Sequence, residues 1–251
     1  TFFLDATDKF LPFGEVPMRC LNGDGRVLDF KKGSYWEEIK SRFKTSERSQ
    51  LELVFDENYN LEGILKVSKT GYFGLKEKKF VQEKSKDSYL DDFETKHANM
   101  EVISVDTEGL DDNEAAIKNT YKIAVESNKH NNTISISPFI YDRLTINPFK
   151  LEERRYPVDF GYPRKDTQLI NFKIPDGYMV KSLPTKVSFS LPAKGGHYVL
   201  NITEKEEEIN FFVKYSISKK IYSSEEYYYL KEFYNQIIKS QEQLIVLEKK
   251  S

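Results

Sequence analysis

Alternation of apolar and polar positions runs through most of this chain. Ile117, Asn119, Tyr121, Ile123 and Val125 fall on one side of an extended segment. Ile209, Phe211, Val213, Tyr215 and Ile217 fall on one side of another, with Asn210, Lys214 and Ser216 among their alternate neighbours. A period of two predicts half-buried antiparallel strands. Val187–Phe189–Leu191 and Tyr198–Leu200–Ile202 repeat it, and shorter candidates are Leu51–Phe55, Leu61–Ser68, Met100–Asp106, Thr133–Ile136 and Gln168–Ile174. Phe2, Phe3 and Leu4 read as the end of a buried strand. Turn chemistry separates the runs. Asp56–Asn60 reads as a hairpin loop, Pro175-Asp176-Gly177 as a turn, and Lys194-Gly195-Gly196 as a tight turn whose glycines accept positive φ. The regular spacing predicts antiparallel β-sandwich architecture.

The period changes twice. Tyr89, Leu90, Phe93 and His97 share one helical face over Asp87–Ala98. Tyr227, Leu230, Tyr234, Ile237 and Gln241, widened by Phe233 and Ile238, share one over Ser224–Gln241. Ser223 and Glu226 make a capping box for the second helix. Leu244–Leu247 reads as a closing strand that must pair back onto a sheet. Ser34–Ile39 fits either a capped helix start or an extended piece, and its short length and flanking Lys and Gly favour the non-helical form. The expected fold is therefore mainly β, antiparallel sandwich(es) with two helices, one near the C-terminus. Expected boundaries divide the chain into 1–33, 34–150 and 151–251, the last two able to form one continuous domain. Asn147–Pro163 reads as a rigid connector, because each proline pushes its predecessor toward extended geometry.

Composition narrows the function. With 251 residues there is length for a sizeable core, and 18 Phe and 16 Tyr supply it with few, large side chains. Lys+Arg 38 against Asp+Glu 40 gives −2, which lacks the basic excess of a nucleic-acid binder. The acidic run Glu204–Glu208 reads as a solvated turn. No apolar run is long enough to span a membrane as a helix. Cys20 is the single cysteine; it reads as a small apolar side chain, outside any metal pattern. His97 reads as a packing residue, His130 as part of a polar hairpin tip and His197 as the residue after a turn, so no nucleophile, base and acid are brought together by sequence. Asp24 in "NGDGR" and Asp111-Asp112-Asn113 lack the spacing of a calcium loop. Neither metal nor cofactor is expected. Asn131 and Asn201 open N-x-T sequons, which matter only in a eukaryotic secretory pathway. Tyr227, Tyr228 and Tyr229 must point to different sides of a helix, which limits any sugar-binding platform they could form.

The opening "LDATDKFLPFGEVPMRCLNGDGR" resembles the end of the transglutaminase-like core of large envelope proteins of Bacteroidota, with Asp5-Ala6-Thr7 matching an Asp-x-Thr motif. "NPFKLEERRYPVDFGYP" (Asn147–Pro163), "IPDGYMVKSLP" (Ile174–Pro184) and "YYYLKEFYNQIIKSQEQLIVLEKK" (Tyr227–Lys250) resemble the domain of unknown function that follows that core. The resemblance implies that Asp5 is the orienting acid of a Cys–His–Asp triad whose Cys and His lie upstream. It implies a non-catalytic accessory or scaffolding β region, located in the periplasm or cell envelope. The upstream core of the same polypeptide would be its partner, with an envelope protein or a glycan as a further one. Cys20 follows the Asp rather than preceding it, so it does not match the nucleophile. A carbohydrate- or protein-binding β-sandwich module is the alternative, drawn from the Phe and Tyr content. Most of those rings are nonetheless expected in the core.

Overall fold

The computed structural model describes residues 3–5, 7–97 and 100–250. Thr1, Phe2, Ala6, Ala98, Asn99 and Ser251 lie outside the described residues, and with them parts of the expected first strand, the Asp-x-Thr motif and the first helix's end. Strands β1 (Asp24–Val27) and β2 (Tyr35–Glu38) form a small antiparallel ribbon, so the ambiguous 34–39 stretch is extended. Then come β3 (Thr45–Phe55), β4 (Leu61–Thr70), helices α1 (Gly71–Glu83) and α2 (Lys86–Lys96), β5 (Met100–Glu108), β6 (Ile117–Val125), β7 (Asn128–His130) and β8 (Thr133–Ile136). After an irregular stretch come β9 (Val158–Asp159), β10 (Arg164–Lys173), β11 (Tyr178–Ser182), β12 (Val187–Ser190), β13 (Gly196–Glu204), β14 (Glu208–Ile217), β15 (Ile221–Tyr222), α3 (Tyr227–Gln241) and β16 (Ile245–Lys249).

The main sheet has eight strands in the order β12-β13-β14-β10-β3-β4-β6-β5. Strands on both sides of residue 150 share it. They meet at β3 and β10, which pair in parallel while the other neighbours are antiparallel. A second sheet, β11-β16-β8-β7, takes the closing strand between β11 and β8. One apolar cluster joins the two sheets and α3, running from Leu51, Leu53, Leu61 and Leu65 through Ile134, Ile136, Phe172 and Phe211 to Phe233, Ile245 and Leu247. Most of the expected aromatic core is here, with Tyr121, Tyr198, Tyr222, Phe139 and Phe211 at 2% exposure or less.

Among the described residues there are three α-helices where the sequence pattern predicts two. The additional one, α1, buries Tyr72, Gly74, Leu75 and Lys78. A lysine in a core position breaks the apolar stripe, which is why the pattern is hard to see. Its ammonium donates to the carbonyls of Asp112 (2.5 Å) and Ala115 (2.7 Å), so the buried charge is satisfied by a remote loop. Gly71 turns β4 straight into α1 at φ +58. α3 begins at Tyr227 rather than Ser224. Half of the capping box is formed, since Ser223 N–H donates to Glu226 Oε2 at 2.9 Å. The expected strand at Phe2–Leu4 is not seen in its described part: Phe3 and Leu4 have no strand geometry, and Leu4 is 65% exposed.

One turn works differently from the expectation. Between β12 and β13 the positive φ values fall on Ala193 (50) and Lys194 (56), while Gly195 sits at −62. The glycines are required by space instead. A Cβ on Gly195 would lie 3.0 Å from Tyr222 Cε1, and one on Gly196 would lie 2.7 Å from the Ser216 carbonyl oxygen.

Candidate functional site

The inner face of the eight-stranded sheet is apolar at one end and charged at the other. Counting across strands, the row Ile202–Phe211–Ile170–Leu51–Leu65–Tyr121 is core. Four residues further along, the same face carries Tyr198–Tyr215–Asp166–Glu47–Lys69–Ile117. Two carboxylates, Asp166 and Glu47, thus stand opposite each other on neighbouring strands, an arrangement that is repulsive when both are ionised.

Most of these groups have found partners. Glu47 accepts the Tyr141 hydroxyl at 2.7 Å and lies 3.8 Å from the Lys69 ammonium. Lys69 donates to Glu77 at 2.7 Å. Glu77 Oε1 in turn accepts the Tyr89 hydroxyl (2.9 Å) and Asn119 Nδ2 (2.9 Å), and the Tyr121 and Tyr89 hydroxyls are bonded to each other. Such a network rigidifies when each member is satisfied. Burial raises the Glu47 carboxyl, and Lys69, although burial pulls its pKa down, is raised overall by Glu47 and Glu77. Burial also pushes the Tyr141 hydroxyl well up.

Asp166 is the exception. Its Oδ1 is buried with no hydrogen-bond partner. Arg164, two residues earlier on the same face, gives its Nη2 to the Tyr234 hydroxyl at 3.3 Å and lies 4.8 Å from the Phe160 ring. Tyr234 and Tyr215 hydroxyls are 2.5 Å apart. Burial, reinforced by Glu47 and Asp142, pushes the Asp166 carboxyl up to about 7. Beside it is a cavity of about 250 Å³ between the sheet and α3, walled by Tyr198, Val213, Leu144 and Ile237 and by the polar Asp142, Gln168 and Gln241. The sequence reading did not single out Asp166; "RKDTQ" shows three consecutive charges, Arg164, Lys165 and Asp166, and only strand pairing puts Glu47 next to Asp166.

The residues that were singled out lie elsewhere and apart. Asp5 Oδ1 accepts the Thr7 N–H (2.8 Å) and hydroxyl (2.5 Å), and its Oδ2 pairs with Arg19 at 3.0 Å. The Thr7 bonds above all hold its carboxyl below the usual range. Cys20 sits at the margin of a small cluster of Phe10, Val16, Leu21, Tyr72 and Leu75. His97 caps the end of α2, donates Nδ1–H to the Phe93 carbonyl at 2.8 Å and stacks on Tyr141. His130 is exposed on β7. His197 meets Ser190 across β12 and β13, Nδ1 to Oγ 2.8 Å, a pairing that sequence reading missed. Asp24 opens β1, and Asp112 Oδ1 accepts the Glu114 and Ala115 N–H groups within a turn. Among the described residues no group of three His, Cys, Asp or Glu converges as metal ligands would. Asn131 turns the β7–β8 hairpin at φ 52, and Asn201 lies on β13. Tyr227 is buried while Tyr228 and Tyr229 are exposed, their rings edge to face at 75° rather than coplanar. No described helix is long and apolar enough to cross a membrane.

Residues 131–247 match DUF3858, a domain of unknown function with a solved structure. The DUF3858 segment contains two of the three stretches that resembled a domain of unknown function and most of the third, while the opening Leu4–Arg26 stretch with Asp5 lies outside it. It also supplies every cavity residue named above, while Glu47 and Lys69 come from strands before it. The crystal structure of a "putative protease from Parabacteroides distasonis" is similar over 39% of this chain and 19% of that one, at 11% identity and a TM-score of 0.34. The chain thus spans about a fifth of that protein's length. No curated protein matches.

Proposed function

We propose that this chain is the accessory, non-catalytic β region of a larger transglutaminase-like envelope protein, and that residues 3–43 are its joint to the catalytic core. The observation carrying this reading is how that segment is fastened. The Tyr72 hydroxyl of α1 donates to the Val16 carbonyl at 2.8 Å, and its ring stacks on Tyr162 and meets the edge of Phe43. Buried Glu15 accepts the Ser41 hydroxyl (3.0 Å) and the Arg42 N–H (2.9 Å), and Lys79 pairs with Asp8. A segment held by a small core of its own can transmit position from one domain to another.

Asp5 lies at the outer end of this joint. With Oδ1 taken by the two Thr7 donors and one Oδ2 position by Arg19, its carboxylate retains one lone-pair position on Oδ2 for an imidazole N–H, the role of an orienting acid. The DUF3858 match supports the accessory assignment, and a periplasmic or envelope location belongs to the same reading. The chain alone is expected to show no amidase or transamidase activity above a buffer control, assayed by ammonia release from glutamine peptides and by amine incorporation. Robust turnover would overturn the proposal. The encoded sequence upstream of Thr1 is expected to hold a Gly-x-Cys and a later His; without them Asp5 is an ordinary turn residue.

A further inference from the structure

The charged end of the inner sheet face is one cation short. Its interacting groups are the carboxylates Glu47 of β3, Glu77 of α1, Asp142 and Asp166 of β10, against Lys69 of β4, Lys96 of α2 and Arg164 of β10. Lys69 serves Glu47 and Glu77, and Lys96 pairs with Asp142 at 2.6 Å. Arg164 is turned to Tyr234 and Phe160. Asp166 is left with an oxygen that nothing satisfies, beside a cavity with an aromatic and aliphatic wall. A buried carboxylate oxygen without a donor is costly, and ligand pockets combine such a polar point with an apolar lining.

We infer that this cavity binds a small organic monocation, a primary amine whose ammonium is taken by the Asp166 carboxylate and whose apolar body lies against Tyr198, Val213, Leu144 and Ile237. An ammonium has three donors. The side-chain oxygens of Gln168 and Tyr215, which share the wall with Asp166, are of the type that accepts the other two. Calcium or magnesium fits less well, because each takes six or more oxygens, and Arg164 stands beside the site. An anion would be opposed by two carboxylates, Asp166 and Asp142, that share the wall with Arg164. This inference is independent of the accessory-region proposal, since it concerns the cavity and not the joint.

The test is titration of the whole chain with n-pentylamine and benzylamine, against 1-pentanol and pentanoate, by calorimetry and by methyl chemical shifts of Val213 and Ile237. Saturable one-to-one binding of the amines alone is expected, weakened at least ten-fold in Asp166→Asn and retained in Arg164→Gln. In the unaltered protein, amine affinity should also fall as pH drops below 7, by up to about ten-fold per unit, as Asp166 takes up a proton. The groups facing it from neighbouring elements are Glu47, whose carboxyl burial also raises, Lys69, Asp142, Arg164 and the Tyr215 hydroxyl. Absence of saturable amine binding, equal binding by Asp166→Asn, a pH-independent affinity, or pentanoate binding that Arg164→Gln abolishes would each overturn the inference.

Discussion

His97 and Asp166 are both shielded from water, and burial moves their proton affinities in opposite directions. Burial lowers His97 to about 4 from an ordinary 6.5, and raises Asp166 to about 7 from 3.8. His97 therefore contributes stability that is full above pH 6.5 and is lost as pH falls toward 4. Asp166 contributes stability that is full below pH 3.8 and is lost as pH rises through 7. Between pH 4 and 6.5 the two slopes oppose each other. Asp166→Asn should remove one of them, so that the variant's stability rises with pH across this window more steeply than the wild type's. The wild type should lose up to about 4 kcal/mol relative to the variant between pH 4 and 7. Urea denaturation at a series of pH values measures this, and parallel curves would show that Asp166 does not change its proton affinity on folding.

At the scale of elements, the passage from β4 into α1 is the tightest junction. Gly71 adopts φ +58, and a Cβ there would lie 2.6 Å from Thr45 Oγ1 and 2.8 Å from Thr45 Cα. The same Thr45 Oγ1 accepts the Tyr72 N–H at 3.1 Å, satisfying one donor of the helix start. Gly71→Ala combines left-handed backbone strain with a clash against a strand backbone that cannot give way. It should cost about 2 kcal/mol or more, seen as a lower denaturation midpoint at unchanged slope. An Ala variant of wild-type stability would mean that β4 and α1 can separate at this point without penalty.

At the scale of the whole molecule, the described residues form two cores. The large one joins both sheets and α3; the small one holds the N-terminal segment on α1. A segment with its own few contacts should open independently of the rest. Tyr72→Phe removes the bond to the Val16 carbonyl, worth about 1 kcal/mol. Hydrogen exchange at the amides of Leu11, Cys20 and Leu21, each bonded within the segment, should then quicken about five-fold while β6 amides keep their protection. Equal acceleration in β6 would merge the two cores into one cooperative unit, and the joint would lose its separate character.

Strands β4–β6, β8, β12–β14 and β16, the later parts of β3 and β10, two of the three α-helices and the Asp56–Asn60 and Pro175–Gly177 turns were legible in the order of residues, because each follows from local periodicity and local backbone preference; β1, β7, β9, β11, β15 and the stretches of β3 and β10 that carry Glu47 and Asp166 were not. Ile117–Val125 reads as a strand whatever lies beside it, and α3 carries its apolar face in its own spacing. What the sequence could not display is which strand stands next to which. The parallel pairing of β3 with β10 joins residues more than a hundred positions apart, and it alone sets Glu47 beside Asp166. Lys78 shows the same limit, since its core position makes sense only when the Asp112 and Ala115 carbonyls arrive from another loop. Apolar residues reveal their environment because burial suits them anywhere. Buried charges do not, because their stability depends on partners that only the folded chain brings near.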